Sequence, residues 1–93
     1  MKSNKSLTNR LNKEKSFHNI LAAVGTHLAE LRQKKGYSTI KEFTDHYDLP
    51  EIQYWRIERG KANITLKSLS RILNIHRISI QDFFCLLEDG TPA

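Results

Sequence analysis

The sequence has little of what marks disulfide-rich, membrane or secreted proteins. It contains 1 cysteine, which excludes an internal disulfide framework and fits a reducing compartment. No apolar run approaches the roughly 18 residues that a membrane-spanning helix needs. Polar residues follow Lys2 and Lys5 where a secretory signal would be apolar. These absences predict a cytoplasmic protein without membrane segments.

Motifs of enzyme and metal chemistry are also missing. There is no glycine-rich phosphate loop and no serine elbow, and Cys85 has no CxxC partner. Because Cys85 lies in an apolar segment, we expect a packed side chain rather than a nucleophile. The histidines are scattered, without metal-ligand spacing: His18, His27, His46 and His76. We therefore predict no catalytic activity, no metal and no cofactor.

Most of the positive charge lies at the amino terminus. The chain carries a net charge of +5, and residues 1–15 account for all but one of these charges. The same residues are rich in Ser, Asn, Lys and Thr, so they cannot bury enough surface to offset their ordering entropy. We expect a mobile basic arm, which either contacts nucleic acid or is simply solvated.

Residues 16–88 have the pattern of one all-helical domain of about five helices, and residues 89–93 are expected to be frayed. Ser16 is a plausible cap for a first helix that Gly25 interrupts, so one long helix and two shorter ones both remain open. Helix starts are indicated by Thr39 with Glu42, by Thr65, and by Ser79 with Asp82. The fourth helix is expected to turn one set of residues inward: Leu66, Leu69, Ile72 and Leu73. No alternating strand pattern occurs.

The segment 50–61 is the most informative part of the chain. Pro50 suits a first helical turn, and Gly60 suits the left-handed residue that ends a helix. At about 3.6 residues per turn, Tyr54, Ile57 and Glu58 share one face. The other face carries Glu51, Ile52, Trp55, Arg56 and Arg59. We interpret this helix as anchored on one side and presented to a partner on the other.

Residues 24–84 resemble the Xre/Cro-type helix-turn-helix domain, the lambda-repressor-like fold of phage and bacterial repressors. The resemblance rests on an ordered set of segments: Val24-Gly-Thr-His-Leu-Ala-Glu-Leu-Arg32, Lys35-Gly-Tyr-Ser38, Ile57-Glu-Arg-Gly-Lys61, the spacing of Leu66, Leu69 and Ile72, and Ser79-Ile-Gln-Asp-Phe-Phe84. It implies a compact five-helix domain, usually dimeric, whose third helix enters the DNA major groove.

The resemblance also implies roles for individual residues. Base-edge positions fall on Glu51, Ile52, Trp55 and Arg56. Phosphate positions fall on Thr39, Arg59, Lys61 and Asn63. Arg32 and Glu58 occupy the positions of a buried ion pair between the first and third helices.

Several of these residues also have simpler interpretations. Arg56 suits guanine, but it could be solvated. Glu51 could accept from cytosine N4 or favour the helix start. Ile52 and Trp55 could contact a thymine methyl or a sugar, or pack against a neighbouring helix or another protein. Arg59 and Lys61 could be ordinary surface charges.

The chain departs from the family pattern at a few positions. One extra residue lies between Gly36 and Phe43, and Thr44 replaces the usual small residue. Asp48 and Arg77 stand where glycine is common, and Arg77 is expected to carry a conformational cost. Because of these departures, the preferred DNA sequence cannot be predicted from the chain.

The resemblance predicts a DNA-binding transcription regulator, a repressor, that binds double-stranded DNA through helix 50–59. Because the last helix is apolar on more than one side, we expect a homodimer through residues 80–87 or through residues 17–24. The alternative is a protein-interaction module of the same fold, antitoxin-like or an accessory regulator, which would use the exposed Ile52 and Trp55.

Overall fold

Five helices make up the described part of the chain. The computed structural model describes the backbone of residues 2–90 and the side chains of residues 16–87. The helices are α1 (Lys2–Lys34), α2 (Ile40–Tyr47), α3 (Glu51–Glu58), α4 (Leu66–Ile75) and α5 (Ile80–Gly90). No strand occurs between residues 2 and 90. The prediction of an all-helical chain with five helices is therefore confirmed.

The first helix is continuous where the sequence allowed a break. Its backbone passes Ser16 and Gly25 without interruption, so Ser16 does not start a helix. The backbone of residues 2–15 belongs to α1, but their side chains lie outside the described part. The mobility predicted for residues 1–15 therefore stays a prediction. So does the fraying predicted for 89–93, which covers the last residues of α5 and three residues that are not described.

One hydrophobic core joins the helices. α3 packs against both α1 and α2, while α5 packs against α1 and α4. Phe43, Tyr54 and Phe83 are among the largest fully buried side chains. The rest of the buried cluster comprises Val24, Leu28, Ile57, Leu69, Ile72, Leu73 and Leu87. α3 is thus held from two sides.

Hydroxyl groups cap three helices as the sequence predicts. The hydroxyls of Thr39, Thr65 and Ser79 accept hydrogen bonds of 3.2, 3.1 and 3.0 Å from backbone N–H groups three residues on. The Thr39 hydroxyl also donates to the Glu42 carboxylate at 2.9 Å. Each such cap is worth about 1 kcal/mol. These local signals set the starts of α2, α4 and α5.

Left-handed residues follow the other ends of the first four helices. Gly36 and Gly60 have φ of 103° and 69°, which glycine adopts without strain. Asp48 and Arg77 have φ of 55° and 56°, where a side chain costs about 1–2 kcal/mol. Aspartate tolerates this region better than arginine. The predicted conformational cost therefore falls mainly on Arg77.

Two side chains predicted to be packed are exposed. Leu66 is 66% exposed, although Leu69 and Ile72 of the same stripe are buried. Cys85 is exposed as well. It lies midway between the buried Phe83 and Leu87, about 200° round the helix from each. Periodicity therefore predicted the buried stripe of α4 but not where it ends, whereas the exposure of Cys85 agrees with its position on α5.

Candidate functional site

The carboxyl end of α3 lies directly against the backbone of α1. A Cβ atom on Gly25 would lie 2.4 Å from the carbonyl oxygen of Glu58 and 2.6 Å from that of Ile57. A Cβ on Gly60 would lie 2.9 Å from the Cα of Ala22. All three distances are shorter than real side chains allow, so glycine is required at each position. The end of α3 and the turn after it are fixed against α1.

A buried ion pair fixes the same end of α3. Arg32 Nε donates to Glu58 Oε2 at 2.8 Å, and Arg32 Nη2 donates to Glu58 Oε1 at 3.1 Å. Both side chains are only 6% exposed. Arg32 Nη1 also donates to the backbone carbonyl of Tyr37 at 2.7 Å. The hydrogen bond to Glu58 raises the pKa of Arg32 although burial opposes the charge. The two residues implied as an ion pair by the resemblance are therefore in bidentate contact.

Tyr54 lies beside this pair on the inner face of α3. The residue is 2% exposed, and its hydroxyl has no hydrogen-bond partner among the described residues. Burial raises the pKa of Tyr54 strongly, and the nearby Glu58 carboxylate raises it further. The phenol therefore stays neutral. Its ring packs 5.2 Å from that of Phe43, which ties α3 to α2.

The outer face of α3 is open to solvent. Glu51, Ile52, Trp55 and Arg56 are all exposed, whereas Tyr54 is buried. Ile52 is 78% exposed and Trp55 38%. Neither apolar side chain is therefore used as a core residue. All four base-contact candidates lie on one surface that no described helix covers.

Cations surround Trp55 where the chain leaves α3. The guanidinium carbon of Arg59 lies 4.9 Å from the Trp55 ring centroid, and Lys61 Nζ lies 6.0 Å from it. Arg56 Nη2 donates to the carbonyl of Lys61 at 3.2 Å, and the Lys61 N–H returns a 2.9 Å bond to the carbonyl of Arg56. We name Trp55, Arg56, Arg59 and Lys61 the exit cluster.

Contacts within the exit cluster favour one arrangement of its side chains. A cation over a tryptophan face gains about 0.5–1 kcal/mol at an exposed site. Gly60 makes the left-handed turn that brings Lys61 back toward Arg56. None of the ion pairs found among residues 16–87 involves Arg56, Arg59 or Lys61. Three cations gathered on one small surface suit an anionic partner.

The remaining phosphate candidates flank α3. Thr39 is exposed at the start of α2, and Asn63 is exposed in the loop before α4. The Thr39 hydroxyl is already engaged with both the amide and the carboxylate of Glu42. Its donation to a phosphate would have to replace the carboxylate bond. Asn63 lies two residues from Lys61 and extends the polar surface of the exit loop.

Two polar residues near the site were missed from the sequence. Gln53 is exposed on α3 and lines a shallow pocket between α3 and α4. Arg71 lines the same pocket and donates to the carbonyl of Asp48 at 2.9 Å. Gln53 could have been found from its place beside Ile52. The contact of Arg71 spans 23 residues, and no local pattern indicates it.

Two of the histidines contact neighbouring aromatic side chains. His76 stacks on Phe43 with ring centroids 5.5 Å apart, and its buried Nε2 has no partner among the described residues. Burial lowers the pKa of His76, and the charge of Lys35 lowers it further. A neutral imidazole packed on Phe43 is therefore favoured over a cation at the end of α4. His46 Nδ1 is hydrogen-bonded to the Tyr37 hydroxyl. Within the described residues, no group of three or more His, Cys, Asp and Glu could hold a metal.

Apolar side chains are exposed away from α3 as well. Phe84 and Leu86 on α5 are 38% and 41% exposed. Phe17 and Ile20 on α1 are exposed too. Both segments predicted as dimer surfaces therefore carry uncovered apolar groups.

None of the helices seen between residues 2 and 90 is both long and apolar enough to cross a membrane. Comparison of the chain with protein-family models, with curated proteins and with solved structures found no match. Any function of the surface around α3 therefore has to be inferred from its own geometry and chemistry.

Proposed function

We propose that this protein is a sequence-specific DNA-binding transcription regulator of the Xre/Cro type, with the lambda-repressor-like fold. α2 and α3 form its helix-turn-helix, and α3 docks in the major groove of double-stranded DNA. Occupancy of an operator would block transcription, so we propose a repressor. The observation that carries the proposal is the exit cluster beside the open outer face of α3.

The cations of the exit cluster suit phosphates. Arg59 and Lys61 lie at the end of α3, where the backbone of a duplex would flank a helix in its groove. Such contacts supply affinity and position, and they make binding depend on salt. Trp55 holds both cations in place before any DNA arrives, so less side-chain freedom is lost on binding.

The inner anchoring of α3 suits sequence reading. Base edges are distinguished by groups held in a fixed place on a rigid element. Gly25 and the Arg32–Glu58 pair tie the end of α3 to α1, and Tyr54 ties its middle to α2. The outer face can therefore keep one orientation relative to the phosphate contacts.

A second copy of the chain completes the proposal. The exposed Phe84 and Leu86 of α5, or Phe17 and Ile20 of α1, would meet their equivalents across a two-fold axis. A dimer places two α3 helices about one DNA turn apart, on an inverted repeat.

The proposal is tested by selecting bound sequences from a random duplex library with wild type and with Arg56→Ala. We expect enrichment of a short inverted repeat with wild type and loss of selectivity with Arg56→Ala. Arg77→Gly is the matched control. It also removes one cation, but at the far end of α4, about 15 Å along that helix from the exit loop. It should select the same repeat. No enrichment with any variant would refute the proposal.

The second candidate function is a protein-interaction module, antitoxin-like or an accessory regulator. It is favoured by the apolar exposure of Ile52 and Trp55 and by the near-neutral charge of residues 16–93. Salt-tolerant association with a protein through α3, in a chain that selects no DNA sequence, would favour this candidate. Steep loss of DNA binding between roughly 50 and 200 mM salt favours the first.

A further inference from the structure

Ile52 points straight away from the core. It is the most exposed large hydrophobic side chain of the described residues, at 78%. The buried Tyr54 and Ile57 lie about 200° and about 140° from it round the helix axis. An aliphatic side chain in this place gains nothing from the fold. Its role therefore lies in the contact between α3 and a partner.

The charges along α3 are unevenly distributed. Its first turn carries Glu51, Ile52 and Gln53 and no cation, whereas all the cations lie from Arg56 onward. The guanidinium of Arg56 is itself tied to the Lys61 carbonyl at 3.2 Å, which draws it toward the exit loop. The first turn thus meets a groove with an acid, an aliphatic group and an amide.

These groups match some base edges and not others. Guanine presents only acceptors in the major groove, its N7 and O6, with which neither a carboxylate nor an aliphatic chain can pair. The apolar group of that groove is the C5-methyl of a pyrimidine, as in thymine. Burial against a methyl group is the contact that removes the exposed surface of Ile52 from water.

We propose that Ile52 reads a pyrimidine C5-methyl group in the DNA site, with thymine as its ordinary source. The inference rests on the proposed function, because it needs α3 in the major groove. It assigns base readout in the first turn to apolar contact, and it leaves Arg59 and Lys61 to the phosphates.

The test uses the duplex selected by the wild-type protein. Each thymine is replaced singly by deoxyuridine, which removes the methyl group and keeps every hydrogen-bonding group. At one position of each half-site we expect about a fourfold loss of affinity, from the burial of one methyl. Ile52→Val should keep the loss, whereas Ile52→Ala should bind the thymine and uracil duplexes equally. Ile52→Ala is expected to fold, since the site is exposed and alanine is a good helix former.

A second arm separates the two sources of the methyl group. At the same position, a cytosine is compared with 5-methylcytosine. If methylation of the cytosine raises the affinity and Ile52→Ala abolishes that rise, the methyl group is read on either base. If only the thymine methyl raises the affinity, the contact belongs to thymine alone. If the protein selects a sequence but no single uracil substitution weakens binding, the inference fails and the proposed function stands. If it selects no sequence, both fail.

Discussion

Gly25→Ala tests whether the backbone contact between α1 and α3 limits stability. Two effects oppose each other. Alanine is favoured over glycine in a helix interior by about 1 kcal/mol, which would stabilise α1. The new methyl group would lie 2.4 Å from the Glu58 carbonyl oxygen, where ordinary contact begins at 3.4 Å. The two helices would have to move apart by about 1 Å to restore an ordinary contact.

The packing effect should exceed the propensity effect. The groups in contact are backbone atoms at 2.4, 2.6 and 2.8 Å, and backbone cannot rotate away as a side chain can. Overpacking of this kind costs about 1–3 kcal/mol, occasionally more. The Arg32–Glu58 pair and the Gly60 turn hold the same end of α3, so they would be strained by the shift. We expect a net loss of up to about 2 kcal/mol once the propensity gain of about 1 kcal/mol is subtracted.

Urea unfolding followed by circular dichroism measures this loss. For a domain of this size, each kcal/mol lowers the melting temperature by about 4–8 °C. Thr26 is the matched control, because it is the next residue of α1 and is exposed. The difference between Thr26→Ala and Thr26→Gly gives the propensity effect alone. If Gly25→Ala stabilises the protein by that same amount, α1 and α3 do not approach each other closely at Gly25.

Three further predictions concern single side chains. Arg32→Met should destabilise the protein by about 3–5 kcal/mol in the same urea assay, because it leaves the Glu58 carboxylate buried and unpaired. The double variant Arg32→Met with Glu58→Leu should cost much less, because no buried charge remains unpaired. The pKa of His76 in the folded protein lies below the ordinary value near 6.5, so the unfolded chain binds more protons. The free energy of unfolding should therefore fall as pH drops below about 6.5, and His76→Phe should reduce this pH dependence. An NMR titration that puts the pKa of His76 above 6.5 would contradict the prediction. Arg77→Gly should raise the melting temperature, because it relieves the backbone strain of a side-chain-bearing residue at φ 56°. The net gain in stability should be about 0.5–1 kcal/mol after the added freedom of the unfolded chain is subtracted. An unchanged or lower melting temperature would count against this prediction.

Features set by neighbouring residues were predictable from the sequence. The caps at Thr39, Thr65 and Ser79 depend on a hydroxyl and an amide three residues on. The left-handed turn at Gly60 likewise depends on a local backbone conformation. The inner and outer faces of α3 follow from helical periodicity alone. Such signals were sufficient to define the helices from α2 to α5.

Features set by distant residues were not predictable in this way. The role of Gly25 depends on where the carbonyls of α3 pass, so its sequence context left one helix and two helices equally open. Leu66 continues the apolar stripe of α4, but whether it is covered depends on the helices packed around it. The gathering of Arg59 and Lys61 around Trp55 needs the Gly60 turn to be in place.

The central claim is that Arg59 and Lys61 of the exit cluster bind DNA phosphates. The most direct test measures duplex affinity against salt concentration for wild type, for Arg59→Ala with Lys61→Ala, and for Arg77→Gly. The slope of log affinity against log salt should become shallower by about 2 in the double variant, one for each lost phosphate contact, and stay unchanged in Arg77→Gly. A double variant with the slope and affinity of wild type would show that the exit cluster does not touch the DNA backbone.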